Sequence, residues 1–171
     1  RAESYIGKGK WAEATDDIVK ALSLDWDRKA LYLANTLKEP AFTMLVSKSK
    51  VQSAKSPNEA TGPYIIGTMY EQSKQYTKAI EYYETANSKD VSPVIHQRIS
   101  ECHYELGDYE DALNSINQAL NLDSTDLSYK ARKANIYYEM GDVKSAIAEW
   151  DNVLEAQPEY GFGYYRRGWF K

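Results

Sequence analysis

Both histidines and the only cysteine of this 171-residue chain fall within eight positions, at His96, Cys102 and His103, just ahead of Glu105, Asp108, Glu110 and Asp111. Imidazoles, a thiol and carboxylates are the donors of zinc sites and the partners of activated nucleophiles. Their spacing argues against both chemistries. His96 and His103 are seven apart, two turns along one helix face, too far to share an ion unless further ligands arrive from elsewhere. Cys102 points to a different side of that helix from His103. Glu101, Glu105, Asp108, Glu110 and Asp111 lie between apolar anchors, as solvated helix residues do. A serine elbow, a glycine phosphate loop and a helical His-Glu zinc motif are all missing from the sequence. The chain therefore reads as not an enzyme, with no catalytic residue, no metal and no cofactor expected.

The elements that carry these residues recur along the chain. GDYEDALNSINQALNLD from Gly107 matches GDVKSAIAEWDNVLEAQP from Gly141, and GKWAEATDDIVKALSLD from Gly9 and KQYTKAIEYYETANSKD from Lys74 fall in the same frame. Tyr109, Ala112, Leu113, Ile116, Ala119 and Leu120 recur as Val143, Ala146, Ile147, Trp150, Val153 and Leu154, and as Trp11, Ala14, Thr15, Ile18, Ala21 and Leu22. Steps of three and four place each set on one stripe of an amphipathic helix. Gly107 with Asp108, and Gly141 with Asp142, read as a helix-ending glycine followed by the N-cap of a second helix. Ser92 before Pro93 reads as a helix start. In the preceding helix a small residue precedes a ring by one turn: Gly67 and Tyr70, Ser100 and His103, Ala134 and Tyr137. The small residue lets two helices approach, and the ring is expected to fill the gap beside it. The anchors Ala79, Ala112 and Ala146 are 33 and 34 residues apart.

With this period and these slots the chain resembles the tetratricopeptide repeat family, whose 34-residue helix–turn–helix unit has ordered positions for Trp, Leu, Gly, Tyr, Ala, Phe and Pro. Tyr64 to Tyr70 with Ala79, Tyr83 and Ala86 fits that pattern, as do Ala134, Tyr137, Gly141, Ala146, Trp150 and Pro158. The resemblance implies an all-α, right-handed superhelical solenoid. As a single array it divides into a partial repeat 1–28, a degenerate repeat 29–59 with Pro40 opening its second helix, repeats 60–92, 93–126 and 127–160, and a truncated first helix 161–171. His96 and His103 then occupy the ring slots, and Cys102 packs beside them. Lys130 and Lys133 depart from the pattern, and their stems would lie along the core with the charges in water.

In this family first helices line a concave binding groove. By resemblance the groove residues here are Tyr64, Thr68, Glu71, Gln97, Glu101, Tyr104, Glu105, Ala131, Asn135, Tyr138, Glu139, Tyr165 and Trp169. The function implied is a protein-interaction scaffold. Alternating tyrosines and glutamates suit a peptide or protein partner with basic and apolar side chains. One subgroup clamps acidic chaperone tails with lysine, arginine and asparagine. Of those slots only Asn135 holds a suitable residue, the others being Tyr64, Gln97, Glu101 and Ala131, so such tails are not expected to bind. Two rival readings stand beside the scaffold: a non-catalytic arm that positions substrate for a larger enzyme, and a self-association module joined through open repeat ends.

Charge adds a second candidate surface. From Arg28 to Pro57 six basic residues face one acidic, whereas from Pro93 to Tyr160 thirteen acidic residues face five basic. Lys48, Lys50 and Lys55 could form a basic patch for an acidic partner, while the whole surface, at net charge −4, argues against nucleic acid. No apolar run reaches the length of a membrane span. The opening RAESYIG has neither an initiator Met nor a signal-peptide core, and reads as a trimmed start. One cysteine excludes an intrachain disulfide and leaves cytoplasm and periplasm undistinguished.

Overall fold

A computed structural model describes residues 2–24, 37, 40–55 and 58–169, and all regular structure among them is α-helical. The chain packs as two compact units, Arg1–Val91 and Ser92–Lys171. The first contains α1 (Ala2–Gly7), α2 (Trp11–Leu24), α3 (Ala41–Lys55), α4 (Thr61–Gln72) and α5 (Tyr76–Asn87). The second contains α6 (Pro93–Leu106), α7 (Tyr109–Leu122), α8 (Leu127–Glu139), α9 (Val143–Ala156) and α10 (Gly161–Trp169). The pairs α1–α2, α4–α5, α6–α7 and α8–α9 are antiparallel hairpins, each a first and a second helix. In the stretch read as a degenerate repeat, α3 starts right after Pro40, where a second helix was expected. The expected first helix of 29–59 lies outside the described residues, apart from Leu37, as do the side chains of Ala21 and Leu22.

The turn inside each hairpin is the same object four times. Gly107 sits at φ 83°, donates to Tyr104 O, and is followed by Asp108 donating to His103 O. Gly141 with Asp142, Gly9 with Lys10, and Lys74 with Gln75 repeat that pair of hydrogen bonds. The left-handed backbone ends the first helix and satisfies two of its last carbonyls. Lys74, at φ 58°, is the one non-glycine in this conformation among the described residues. A side chain there costs roughly 1–2 kcal/mol, partly offset because glycine loses more freedom on folding. Lys74→Gly is therefore expected to stabilise the first unit by about 1 kcal/mol. Chemical denaturation with an unchanged or lower midpoint would contradict it.

The caps differ in detail from the sequence expectation. Asp142 accepts from Ser145 N at 3.0 Å, and hydrogen bonds from the side chain and then the backbone of Ser145 hold its carboxyl below the usual carboxylate range. Asp108 makes no such side-chain cap; its carboxylate lies 3.8 Å from His103 Nδ1 instead. Ser92 likewise makes no side-chain cap, and Pro93 alone marks that start. Asp126 caps α8 by accepting from Ser128 N at 2.7 Å.

The cores are short stripes packed within hairpins and between successive ones. Ile18, Leu45, Ile66 and Met69 anchor one cluster in the first unit. In the second, Ala112, Ile116, Ala119, Tyr129 and Ile136 form one cluster, and Ala134, Ala146, Trp150 and Val153 another. In α4 the ring beside the small residue comes from a different place than expected. A Cβ on Gly67 would lie 2.8 Å from the ring of Tyr83 on α5, so it is the second helix that fills that gap. Tyr70 instead stacks on Tyr82, ring centroids 5.4 Å apart. In the next copy Ser100 donates to the Ala112 carbonyl at 2.7 Å, a polar version of the same close approach. Lys133 reaches not water but Glu149 on α9, at 2.9 Å.

Candidate functional site

His96 and Cys102 are buried, and burial lowers the His96 pKa, which favours the neutral ring. Among the described residues no group of three or more His, Cys, Asp or Glu side chains is placed to hold a metal ion. His103 is only partly buried, with its Nδ1 turned toward Asp108. The opening cluster thus divides into packing residues and one imidazole–carboxylate contact.

The groove residues separate by unit. In the first unit Tyr64 and Thr68 are each 2% exposed, which removes them as contact residues for a partner. Thr68 donates to Tyr64 O, Tyr64 packs on Tyr83 with centroids 5.4 Å apart, and Tyr83 donates its hydroxyl to Glu71. Burial, and then the neighbouring Glu71 carboxylate, raise the Tyr83 pKa well above the ordinary phenol value, so it stays a donor. The second helix of the same hairpin buries Tyr64 and Thr68: the Tyr83 ring of α5 lies against Tyr64 and its hydroxyl is in hydrogen-bonding reach of Thr68, while α3 packs on another side of α4, where a Cβ on Gly62 would meet Ser53 Cβ at 2.7 Å.

In the second unit the candidates do come together. Glu101 on α6 accepts from Arg132 on α8 at 2.6 Å, from Arg98 at 3.1 Å and from Gln97 at 3.4 Å. Tyr104 donates to Glu139 at 3.2 Å, while the Arg132 guanidinium lies 5.8 Å from the Tyr104 ring centroid. Burial, and then the Glu139 charge, raise the Tyr104 pKa. Asn135 on α8 accepts from Arg166 on α10 at 2.6 Å, and Arg166 in turn covers Trp169. Tyr165 and Trp169 are 59% and 61% exposed and meet edge to face at 5.7 Å. Tyr104 and Tyr138 also pack against the hairpin cores and serve two purposes. Glu105 and Glu139 are exposed, and Ala131 is half-buried.

Arg98, Arg132 and Arg166 were not among the expected groove residues, yet they organise this face. Each is 34 residues from the next, the period of the repeat itself. That register was the available signal, hidden by the acidic balance of the segment. With Glu101 held between two guanidiniums, three arginines stand beside the glutamates 101, 105 and 139 on this face.

Lys48, Lys50 and Lys55 do not form one patch. Lys48 donates to the Ala12 carbonyl and pairs with Asp16 on α2, both at 2.6 Å. Lys50 points the other way, 5.8 Å from the Tyr82 centroid, and a hydrogen bond with Tyr82 raises its pKa. Two residues apart on a helix means roughly 200° of rotation, which explains the divergence. None of the described helices is long and apolar enough to cross a membrane.

The family profile described as "Tetratricopeptide repeat protein 21 forth ARM domain" matches residues 65–156, just over half the chain. A tetratricopeptide repeat and J domain-containing co-chaperone of Fusarium oxysporum is 23% identical over 93% of this chain and 33% of its own length. The chain spans about a third or less of the curated relatives it matches. Among solved structures, the thermophilic TPR protein TTC0263 of Thermus thermophilus superposes with a TM-score of 0.67 at 21% identity, covering 99% of this chain and 94% of that one. The first TPR of Spaghetti (RPAP3), bound to an HSP90 peptide, gives 0.60 at 18% identity over 66% of this chain and 90% of that one. Four hairpins with one recurring turn, small residues at the helix contacts and these matches agree: the chain belongs to the tetratricopeptide repeat family.

Proposed function

We propose that the chain is a protein-interaction scaffold that binds an extended peptide or protein segment on the first-helix face of its second unit. The observation that supports this best is the set of side-chain bridges, Arg132 to Glu101, Tyr104 to Glu139 and Arg166 to Asn135, which fix α6, α8 and α10 beside one another. On that fixed face Tyr165 and Trp169 present ring area at small conformational cost. Of the basic and apolar side chains expected of the partner, the apolar ones are favoured. Charges of both signs alternate on the face, so rings hold the ligand and steering by net charge is weak. Acidic tails such as the HSP90 peptide of the RPAP3 structure are not the ligand: Asn135 is already engaged by Arg166, and Glu101 lies among the arginines.

A peptide selected from a random display library against the chain tests the reading. Trp169→Ala should weaken it at least about tenfold, about 1.4 kcal/mol, with Tm changed by no more than about 2 °C. Affinity should vary little with salt. Selection of acidic peptides with strongly salt-dependent binding, or indifference to Trp169→Ala, would overturn it. Tyr138→Ala is a poorer probe than the sequence suggests, because Tyr138 also packs on the core.

A second reading, self-association, draws on Tyr164. It stands in the register of His96, which is 8% exposed, yet is itself 46% exposed beside Phe162 at 53%. Light scattering that shows one mass across concentration would exclude it. The reading as a substrate-positioning arm concerns the longer proteins this family includes, and full-length activity assays address it.

A further inference from the structure

An open cavity of about 290 Å³ lies in the first unit between the second helices α2 and α3, away from any first-helix face described above. Asp16 and Val19 line it from α2, and Ser47, Lys48, Val51 and Lys55 from α3. The α3 residues follow from helical spacing, since 47, 51 and 55 step by four along one side. Val51 is 56% exposed, an apolar branched side chain at a solvated position. Opposite it, Val19 packs against the hairpin core, so the two valines form an apolar floor. Lys48 is fixed as one wall by its bonds to Ala12 and Asp16. Lys55 closes α3 with no carboxylate partner among the described residues. Two ammonium groups and one carboxylate, the latter bonded to Lys48 alone among the described residues, therefore ring an apolar floor.

We propose that this cavity binds a protein segment presenting an apolar side chain beside a carboxylate. The apolar group lies between Val19 and Val51 and the carboxylate meets Lys55. The volume is at the lower end of the roughly 300–1,000 Å³ of ligand pockets, which suits one or two side chains rather than a folded element. Charge complementarity selects the sign: Asp16 is committed to Lys48, so a ligand cation gains nothing at Lys55. The site would let the chain hold one partner through second helices while the first-helix face holds another.

Methyl NMR of the full chain tests this with three probes: an acetylated hexapeptide alternating leucine and glutamate, its leucine–lysine counterpart, and octanoate. The leucine–glutamate peptide should shift the Val19 and Val51 methyls saturably and the leucine–lysine peptide should not. Lys55→Glu and Val51→Asp, both at exposed positions, should each weaken binding about tenfold or more with Tm unchanged, and Trp169→Ala should leave it intact. No saturable shift, equal binding of both peptides, or binding of octanoate alone would overturn the proposal. The Trp169 arm separates its failure from that of the first-helix reading.

Discussion

Trp150→Ala should lower the stability of the second unit by about 3–5 kcal/mol, the usual cost of emptying a fully buried indole site. Trp150 is 0% exposed, packs with Ala134, Ala146 and Val153, and stacks on Tyr160 with centroids 6.4 Å apart. Repeats of this kind bury their stripes only against neighbours, so no larger core absorbs the cavity. The indole Nε1 has no hydrogen-bond partner among the described residues. Its N–H is thus a buried liability of about 1–3 kcal/mol that a phenyl ring would remove. Trp150→Phe should consequently cost no more than about 1 kcal/mol, since a smaller ring is lost against a relieved donor. Urea unfolding of both variants checks the pair. If the two substitutions cost the same, the indole body is not what holds the hairpin.

Gly67→Ala tests two opposing effects. Helix propensity alone favours alanine in a helix interior by about 1 kcal/mol. Packing opposes it, because the new Cβ would lie 2.8 Å from two atoms of the Tyr83 ring. That ring is fully buried and its hydroxyl is tied to Glu71, so it has little room to retreat. Overpacking of this kind costs about 1–3 kcal/mol and occasionally more, and the net result should be a loss of about 2 kcal/mol. Tyr83→Leu in the same chain should relieve most of the clash, giving a measurable coupling in a double-mutant cycle. A stabilised Gly67→Ala would show that α4 and α5 can separate there at small cost.

The repeat frame was legible because alanine, glycine and ring slots agree in several copies; its anchors Ala112, Ala146 and Trp150 are all 0% exposed, while Val143 of the same stripe is 37% exposed. The site was less legible, for two physical reasons. A slot assignment places a side chain on a helix face but does not say what covers that face, and Tyr83 of α5 covers the face carrying Tyr64 and Thr68. It also treats charges singly. Glu101 read as a ligand for a basic partner, whereas Arg132, one repeat later, is aimed at it. Lys48 and Lys50 looked like neighbours in the text and diverge on the helix.

The bridges between successive first helices of the second unit give that face a mechanical character. Buried hairpin stripes resist pulling repeats apart, while Arg132 to Glu101 and Arg166 to Asn135 resist sliding one first helix past the next. The unit is thus held in two directions by two kinds of contact, apolar packing across the repeats and polar bridges along its first helices.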